Sequence, residues 1–302
     1  MIRNFNEIEK IVSGGKEKPT AVLVGCHDEY ALRALIQAKR KGYCEAILIG
    51  DIQKTKAILE KEKENLDTYS FMDIVEEEIM ARRGVSLVKE GKGHILMKGL
   101  LQTSSYAKAI LNKENGIMLK DGFLSLVTLF HYPEENRLLF VSDCAISITP
   151  SIEQKEKIAS NAANLVHLFG IDEVKVAALA PVEVVNEKIQ ATIDADILAQ
   201  KEYDGFIIDG PLALDNAINL EAAKHKGITS KVAGRADVLL CHDLNMANIL
   251  HKSLHYFAHY EMASILCGTK YPCILTSRSD SDETKYHSLL VALWQYGKDE
   301  SK

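Results

Sequence analysis

No apolar stretch in this 302-residue sequence approaches the length that spans a bilayer. Its start, MIRNFNEIEK, lacks the apolar core of a signal peptide. Neither a basic block nor an aromatic-interleaved basic stripe is present; acids and bases are interspersed, and the formal net charge is -6. Nucleic acid and membrane are therefore not expected as partners, and the cytoplasm is the expected compartment. The six cysteines, Cys26, Cys44, Cys144, Cys241, Cys267 and Cys273, form no CxxC pair and no zinc-ribbon spacing. Most lie in or beside apolar runs such as AVLVGC and DVLLC, where a thiol behaves as a small buried hydrophobe, so all six are expected reduced and structural. Also missing are GxGxxG after a strand, GxxxxGK before Ser or Thr, and GxSxG. A nicotinamide-binding fingerprint, a P-loop kinase and a serine hydrolase thereby lose their usual support. There is no Pro/Gly/Ser-rich linker, no low-complexity segment and no solenoid repeat.

What is present is alternation. Short apolar runs (AVLVGC, AILIG, GHILMKG, VKVAALA, DGFIIDG, DVLLCHD) are followed by amphipathic segments. Uninterrupted apolar strands between helices imply α/β architecture with mostly parallel sheets covered on both faces. Asp28 is placed to cap one helix and Gly42 to end it. In the middle, GFLSLVTLFHY and RLLFVSDCAISI are separated only by PEEN, a connection short enough to join antiparallel strands. A domain crossing is expected just after this hairpin.

Four places carry candidate chemistry. CILTSRSDSDE ends a short strand in Ser277 and Arg278 just before a helix start near Ser281. Such a junction holds anions in α/β proteins, and the guanidinium fork suits phosphate. The plainer reading is a loop arginine paired with Asp280 or Asp282. In IDGPLALDN, Asp209 and Gly210 turn the chain after Ile207 and Ile208, where open sheets bind ligands, although Asp-Gly-Pro is also a good turn in its own right. Lys98 and Gly99 follow the strand HILM, where a lysine can meet phosphate as the backbone comes close; a solvated lysine is the alternative. His251, His255 and His259 repeat every fourth residue, but Leu254, Tyr256 and Phe257 around them suggest ordinary packing, and no metal site is assigned.

ITPSIEQKEKIASNAANLVHLFGIDEVKVAALAPVEVVNEKIQATIDADIL, DGPLALDNAI, ADVLLCHDLNMANILHKSL and ILTSRSDSDE together resemble the phosphate acetyl/butyryltransferase family. DGPLALDNA is similar to the butyryl branch. The resemblance implies a two-domain fold like those of isocitrate and isopropylmalate dehydrogenases, an interdomain active site, and a homodimer or larger assembly. On that basis, residues 1–142 plus 267–302 are expected to form the first domain, and residues 143–266 a second, dimerising one. The implied reaction converts acyl-coenzyme A and phosphate to acyl phosphate and free coenzyme A, without metal, permanently bound cofactor or covalent intermediate. The acyl group is expected to be butyryl or a branched short chain; alternatives are phosphate acetyltransferase and a catalytically degenerate coenzyme A-binding protein. The family's Ser-Arg pair falls on Ser277 and Arg278, its Lys-Gly on Lys98 and Gly99, and the asparagine of its Asp-x-x-Gly-Asn-like segment on Asn248, with Ala247 in place of the glycine. Asp209 and Gly210 join these as substrate-binding residues. The acetyl branch's aspartate base falls on Thr284, which leaves Asp282 and Glu283 as the nearest carboxylates for that role.

Overall fold

The computed structural model describes residues 1–15 and 18–299. The chain begins with α1 (Phe5–Ser13), β1 (Thr20–Val24), α2 (Glu29–Arg40), β2 (Glu45–Gly50), α3 (Ile52–Lys61) and β3 (Ser70–Asp73). Next come α4 (Glu77–Lys89), β4 (Ile95–Lys98), α5 (Thr103–Ile110), β5 (Ser125–Tyr132), β6 (Arg137–Ser142) and α6 (Ile152–His167). They are followed by β7 (Val174–Leu179), α7 (Gln190–Ala199), β8 (Phe206–Leu212), α8 (Leu214–Ile218), α9 (Leu220–His225) and β9 (Val238–Leu240). Last are α10 (Leu244–Tyr256), β10 (Met262–Cys267), β11 (Cys273–Ile274) and α11 (Asp282–Asp299). Two compact units result: an outer unit of Phe5–Gly122 with the segment from Ala263 on, and a middle unit of Phe123–Met262 with Met1–Asn4.

In the outer unit the strands run in the order β3-β2-β1-β4-β11-β10. All are parallel except β10, which is antiparallel to β11. Ala21, Val22, Leu23 and Val24 of β1 are completely buried, as a strand covered on both faces requires. Each such Val or Leu contributes about 1.5–3 kcal/mol of apolar burial. α2 turns Ala31, Leu32, Ala34, Leu35, Ile36 and Ala38 inward. Asp28 caps it by accepting the Ala31 N–H at 3.0 Å, and Gly42, at φ 78°, takes the left-handed conformation just past its end. Because β1 pairs with β2 on one side and β4 on the other, the connections leaving β1 and β4 diverge. The gap between their C-terminal ends is a topological switch point.

The middle unit orders its strands β5-β6-β9-β7-β8. β5 and β6 form the antiparallel hairpin read from PEEN, with Thr128 opposite Val141 and Tyr132 opposite Arg137. β6, β9, β7 and β8 are mutually parallel. The hairpin, which the sequence assigns to the first domain, groups here with the middle unit, because β6 pairs with β9 through Phe140 opposite Val238. Asp209-Gly210-Pro211 does not end β8 as expected. The strand continues to Leu212, with its register against β7 shifting between Ala177 and Leu179. Gly210 is required there by space, since a Cβ would stand 2.7 Å from the Ala178 carbonyl oxygen. Lys155 of α6 and Asp194 of α7 form a buried ion pair at 2.7 Å, joined by Gln190 Nε2 on Asp194 Oδ1.

Candidate active site

Three loops of the outer unit meet at its switch point: those after β1, β4 and β11. The first two are locked backbone to backbone. Gly99 donates its N–H to Val24 O at 2.7 Å, and Leu100 donates to Gly25 O at 2.9 Å. A Cβ on Gly99 would lie 2.3 Å from Gly25 O, and Gly25 itself sits at φ 77°. Glycine after Lys98 is thus demanded by loop-to-loop contact before any ligand is considered.

Lys98 ends β4 and is only 2% exposed. Among the described residues its Nζ has a single long hydrogen bond, 3.3 Å to Gly99 O, and no carboxylate within ion-pair range. Burial first, then the neighbouring Lys285 and Arg278 cations, push its ammonium down to about 8, against the opposing pull of Asp28 and Glu77. Lys285, in the first turn of α11, is 1% exposed. It reaches Thr276 Oγ1 at 3.2 Å, Ser277 O at 2.8 Å and Asp28 Oδ2 at 3.9 Å. Burial lowers its affinity for a proton, while Asp28 and Asp280 oppose that. Lys285 thereby ties the turn after β11 to the loop after β1.

The turn itself is tightly specified. The Ser277 N–H donates to Asp280 Oδ2 at 2.7 Å, and the Asp280 N–H donates to Ser277 O at 3.2 Å. Ser281 accepts the Thr284 N–H at 3.2 Å, as expected of the residue before the helix. Ser277 is half-buried and its hydroxyl lies 3.1 Å from that of Ser279. Arg278 is exposed, and among the described residues its guanidinium enters no hydrogen bond or ion pair. Asp280 is engaged with the Ser277 backbone instead, so the ion pair that would have explained Arg278 structurally is not made.

Asp282 and Glu283 are both exposed on the first turn of α11. Asp282 lines a surface groove with Arg33 and Arg40 of α2 and Lys41 just after it, and the Glu283 carboxylate lies within 4.8 Å of a His287 ring nitrogen. Thr284 is buried, its hydroxyl 3.3 Å from Ser281 Oγ. The carboxylates that act on these lysines are Asp28 on both, Glu77 on Lys98 and Asp280 on Lys285. In the sequence Asp28 reads only as a helix cap, and Lys285 stands in no motif. The available signal was Lys285 standing three and four residues before Ser288 and Leu289, on the inward stripe of an amphipathic helix.

Asp209, Gly210 and Asn248 belong to the middle unit. Asp209 Oδ1 accepts the Gly210 N–H at 2.8 Å, and Asn248 is exposed on α10. Ala247, in place of the family's glycine, is completely buried. Of the histidine series, His251 packs edge-on against Phe130, centroids 5.6 Å apart, and burial pushes it down to about 4. His259 lies beyond the end of α10 at φ 56°, so the helical spacing is broken. All six cysteines are free thiols, and no helix among the described residues is long and apolar enough to cross a membrane.

Comparison with known proteins agrees with this architecture. The phosphate butyryltransferase of Clostridium beijerinckii is 41% identical over 97% of this chain and 97% of its own length. The phosphate acetyltransferase of Thermotoga maritima is 36% identical over 94% of this chain and 98% of its own. The crystal structure of a branched-chain phosphotransacylase from Enterococcus faecalis superposes with a TM-score of 0.81 at 29% identity, covering 92% of this chain and 99% of that one. Residues 74–293 match the family described as phosphate acetyl/butaryl transferase. With its switch point, its cation-lined turn and these relatives along nearly its whole length, the chain belongs to the phosphate acetyl/butaryl transferase family.

Proposed function

We propose that this protein transfers a short acyl group between coenzyme A and inorganic phosphate, with butyryl or a branched short chain as the acyl group. The carrying observation is the gathering of Lys98, Lys285 and Arg278 at the outer unit's switch point, with one guanidinium left unpaired by protein. That excess of positive charge supports an anionic ligand. The relatives named for butyryl and branched-chain transfer support the choice of acyl group. Phosphate acetyltransferase is the second reading, favoured by the acetyl-transferring relative at 36% identity.

In this reading Arg278 and Lys98 hold the phosphate, while Ser277 Oγ donates to the thioester oxygen as it becomes anionic. A phosphate oxygen attacks the carbonyl carbon, the carbon–sulfur bond breaks, and the proton lost by the phosphate hydroxyl ends on the departing thiolate. Positioning carries most of the catalysis, since the two substrates must meet in one orientation. Asp28 and Asp280 are the carboxylates that stand with Lys285, whereas Asp282 and Glu283 are exposed on the first turn of α11. Asp209, Gly210 and Asn248 are proposed as substrate contacts from the middle unit, which is also proposed to dimerise. Coenzyme A enters and leaves as a substrate and product, with no permanent cofactor. The test is release of free thiol from butyryl-coenzyme A in the presence of phosphate. Thiol release that depends on both substrates is expected, and its absence across short acyl chains rejects the reading in favour of a degenerate coenzyme A-binding protein.

A further inference from the structure

Asp280 is 1% exposed, and only one of its two carboxylate oxygens is used. Oδ2 accepts the Ser277 N–H at 2.7 Å, whereas Oδ1 is buried and has no hydrogen-bond partner among the described residues. An ionised carboxylate can only accept, so Oδ1 lacks a donor, and a buried acceptor left unmatched is destabilising. Neither nearby donor reaches it. Lys285 Nζ is engaged by Thr276 Oγ1 and Ser277 O, and the Ser277 hydroxyl by Ser279. This unmet acceptor lies in the same turn as Ser277 and Arg278, beside Lys285, where cations otherwise call for an anion. A ligand that satisfies both demands is an oxyanion still carrying one proton: its charged oxygens meet Arg278 and Lys98, and its hydroxyl meets Asp280.

Resting on the phosphate-transfer reading, we infer that Asp280 selects hydrogen phosphate by accepting its P–OH on Oδ1, and that it thereby excludes sulfate. Sulfate has the same shape and charge but no proton at neutral pH. Against it Oδ1 stays unpaired and faces another anionic oxygen. Sites built around one hydroxyl reject analogues lacking it by ~10⁴ or more in favourable cases, because a buried polar group is then left unmatched. Asp280 thus explains why a buried carboxylate is kept inside a cationic turn, where it weakens the very charge that attracts the ligand.

Inorganic phosphate and sulfate binding to the unliganded protein are compared by calorimetry, without any acyl-coenzyme A. Phosphate is expected to bind at least ~100-fold more tightly than sulfate, within the range such hydroxyl recognition reaches. In Asp280→Asn, the side-chain carbonyl still accepts the Ser277 N–H, and an amide N–H replaces Oδ1. Sulfate affinity is expected to rise at least ~10-fold and the preference to collapse, since the amide now donates. Equal affinities in the unaltered protein, or an unchanged ratio in Asp280→Asn, overturn the inference while leaving phosphate transfer standing. Absence of phosphate binding overturns both together. If Asp280→Asn does not fold, the ratio in the unaltered protein decides alone.

Discussion

Lys98 holds its charge where a charge is least at ease, fully buried with no carboxylate on its ammonium. In the unfolded chain it titrates near ~10.4, whereas in the folded protein it is pushed down to about 8. Between those values the folded protein has released a proton that the unfolded chain keeps, so this residue's penalty is greatest below pH 8 and eases as pH rises. Lys98→Met should therefore stabilise the protein at neutral pH, by roughly 1–3 kcal/mol, while weakening phosphate binding. In the unaltered protein, phosphate affinity should decline as pH climbs through 8 and Lys98 loses its charge. Urea titration and phosphate calorimetry check both; a destabilised variant with unchanged phosphate affinity would reduce Lys98 to a packing residue. Arg278 poses the opposite case, because it is exposed and pairs with nothing described. Arg278→Ala should change stability by less than about 0.5 kcal/mol yet cost ~100-fold or more in turnover. Arg278→Lys should recover little, as a point charge does not reproduce the fork. Near-normal turnover in the alanine variant would show that the phosphate sits elsewhere.

Between elements, the Lys155–Asp194 pair fastens α6 to α7 in the middle unit. Burial alone would raise Asp194, but hydrogen bonds from Lys155 and Gln190 outweigh it and hold the carboxyl below its ordinary range. Its stabilising effect is thus full at neutral pH and is lost as pH falls below about 4, through the folded-state value. Asp194→Ala should cost about 3–5 kcal/mol by leaving the buried Lys155 charged without a carboxylate, its remaining bond being to Pro150 O, whereas pairing Asp194→Leu with Lys155→Met should cost far less. The double variant should also lose stability less steeply in acid, and parallel acid curves for the two proteins would exclude the pair as the cause. The helices and buried strands here were legible in sequence because parallel strands read as unbroken apolar runs and Asp28 and Gly42 punctuate α2. The course of β8 was not. Asp-Gly-Pro signals a turn locally, but pairing with β7 carries the strand through it. The hairpin's membership of the middle unit was also hidden, since it depends on β6 meeting β9 nearly 100 positions later in the chain. At the site, Ser277, Arg278 and Lys98 were readable as strand-end residues. Lys285 and Asp280 were not, because a lysine and an aspartate near a helix start look solvated until three loops converge on them.

For the whole molecule, relatives named for butyryl and for acetyl transfer match almost the full chain at 41% and 36% identity, so overall likeness favours butyryl only by a narrow margin. Physical discrimination between such substrates rests on apolar contact alone. Each methylene accommodated contributes about 0.8 kcal/mol, or roughly fourfold, until the pocket is full. Two methylenes separate acetyl from butyryl, so a pocket that accepts both should favour butyryl by roughly 15-fold. Beyond that length an unyielding pocket penalises the added volume, and the preference should reverse. The measurement is kcat/KM for acetyl-, propionyl-, butyryl-, isobutyryl- and hexanoyl-coenzyme A at one fixed phosphate concentration. A rise to the four-carbon substrates followed by a fall is the expected course. An acetyl optimum would instead mean a pocket closed within two carbons of the carbonyl. It would reject the butyryl assignment but leave the proposed phosphate roles of Arg278 and Lys98 standing, because phosphate is the substrate that all five reactions share.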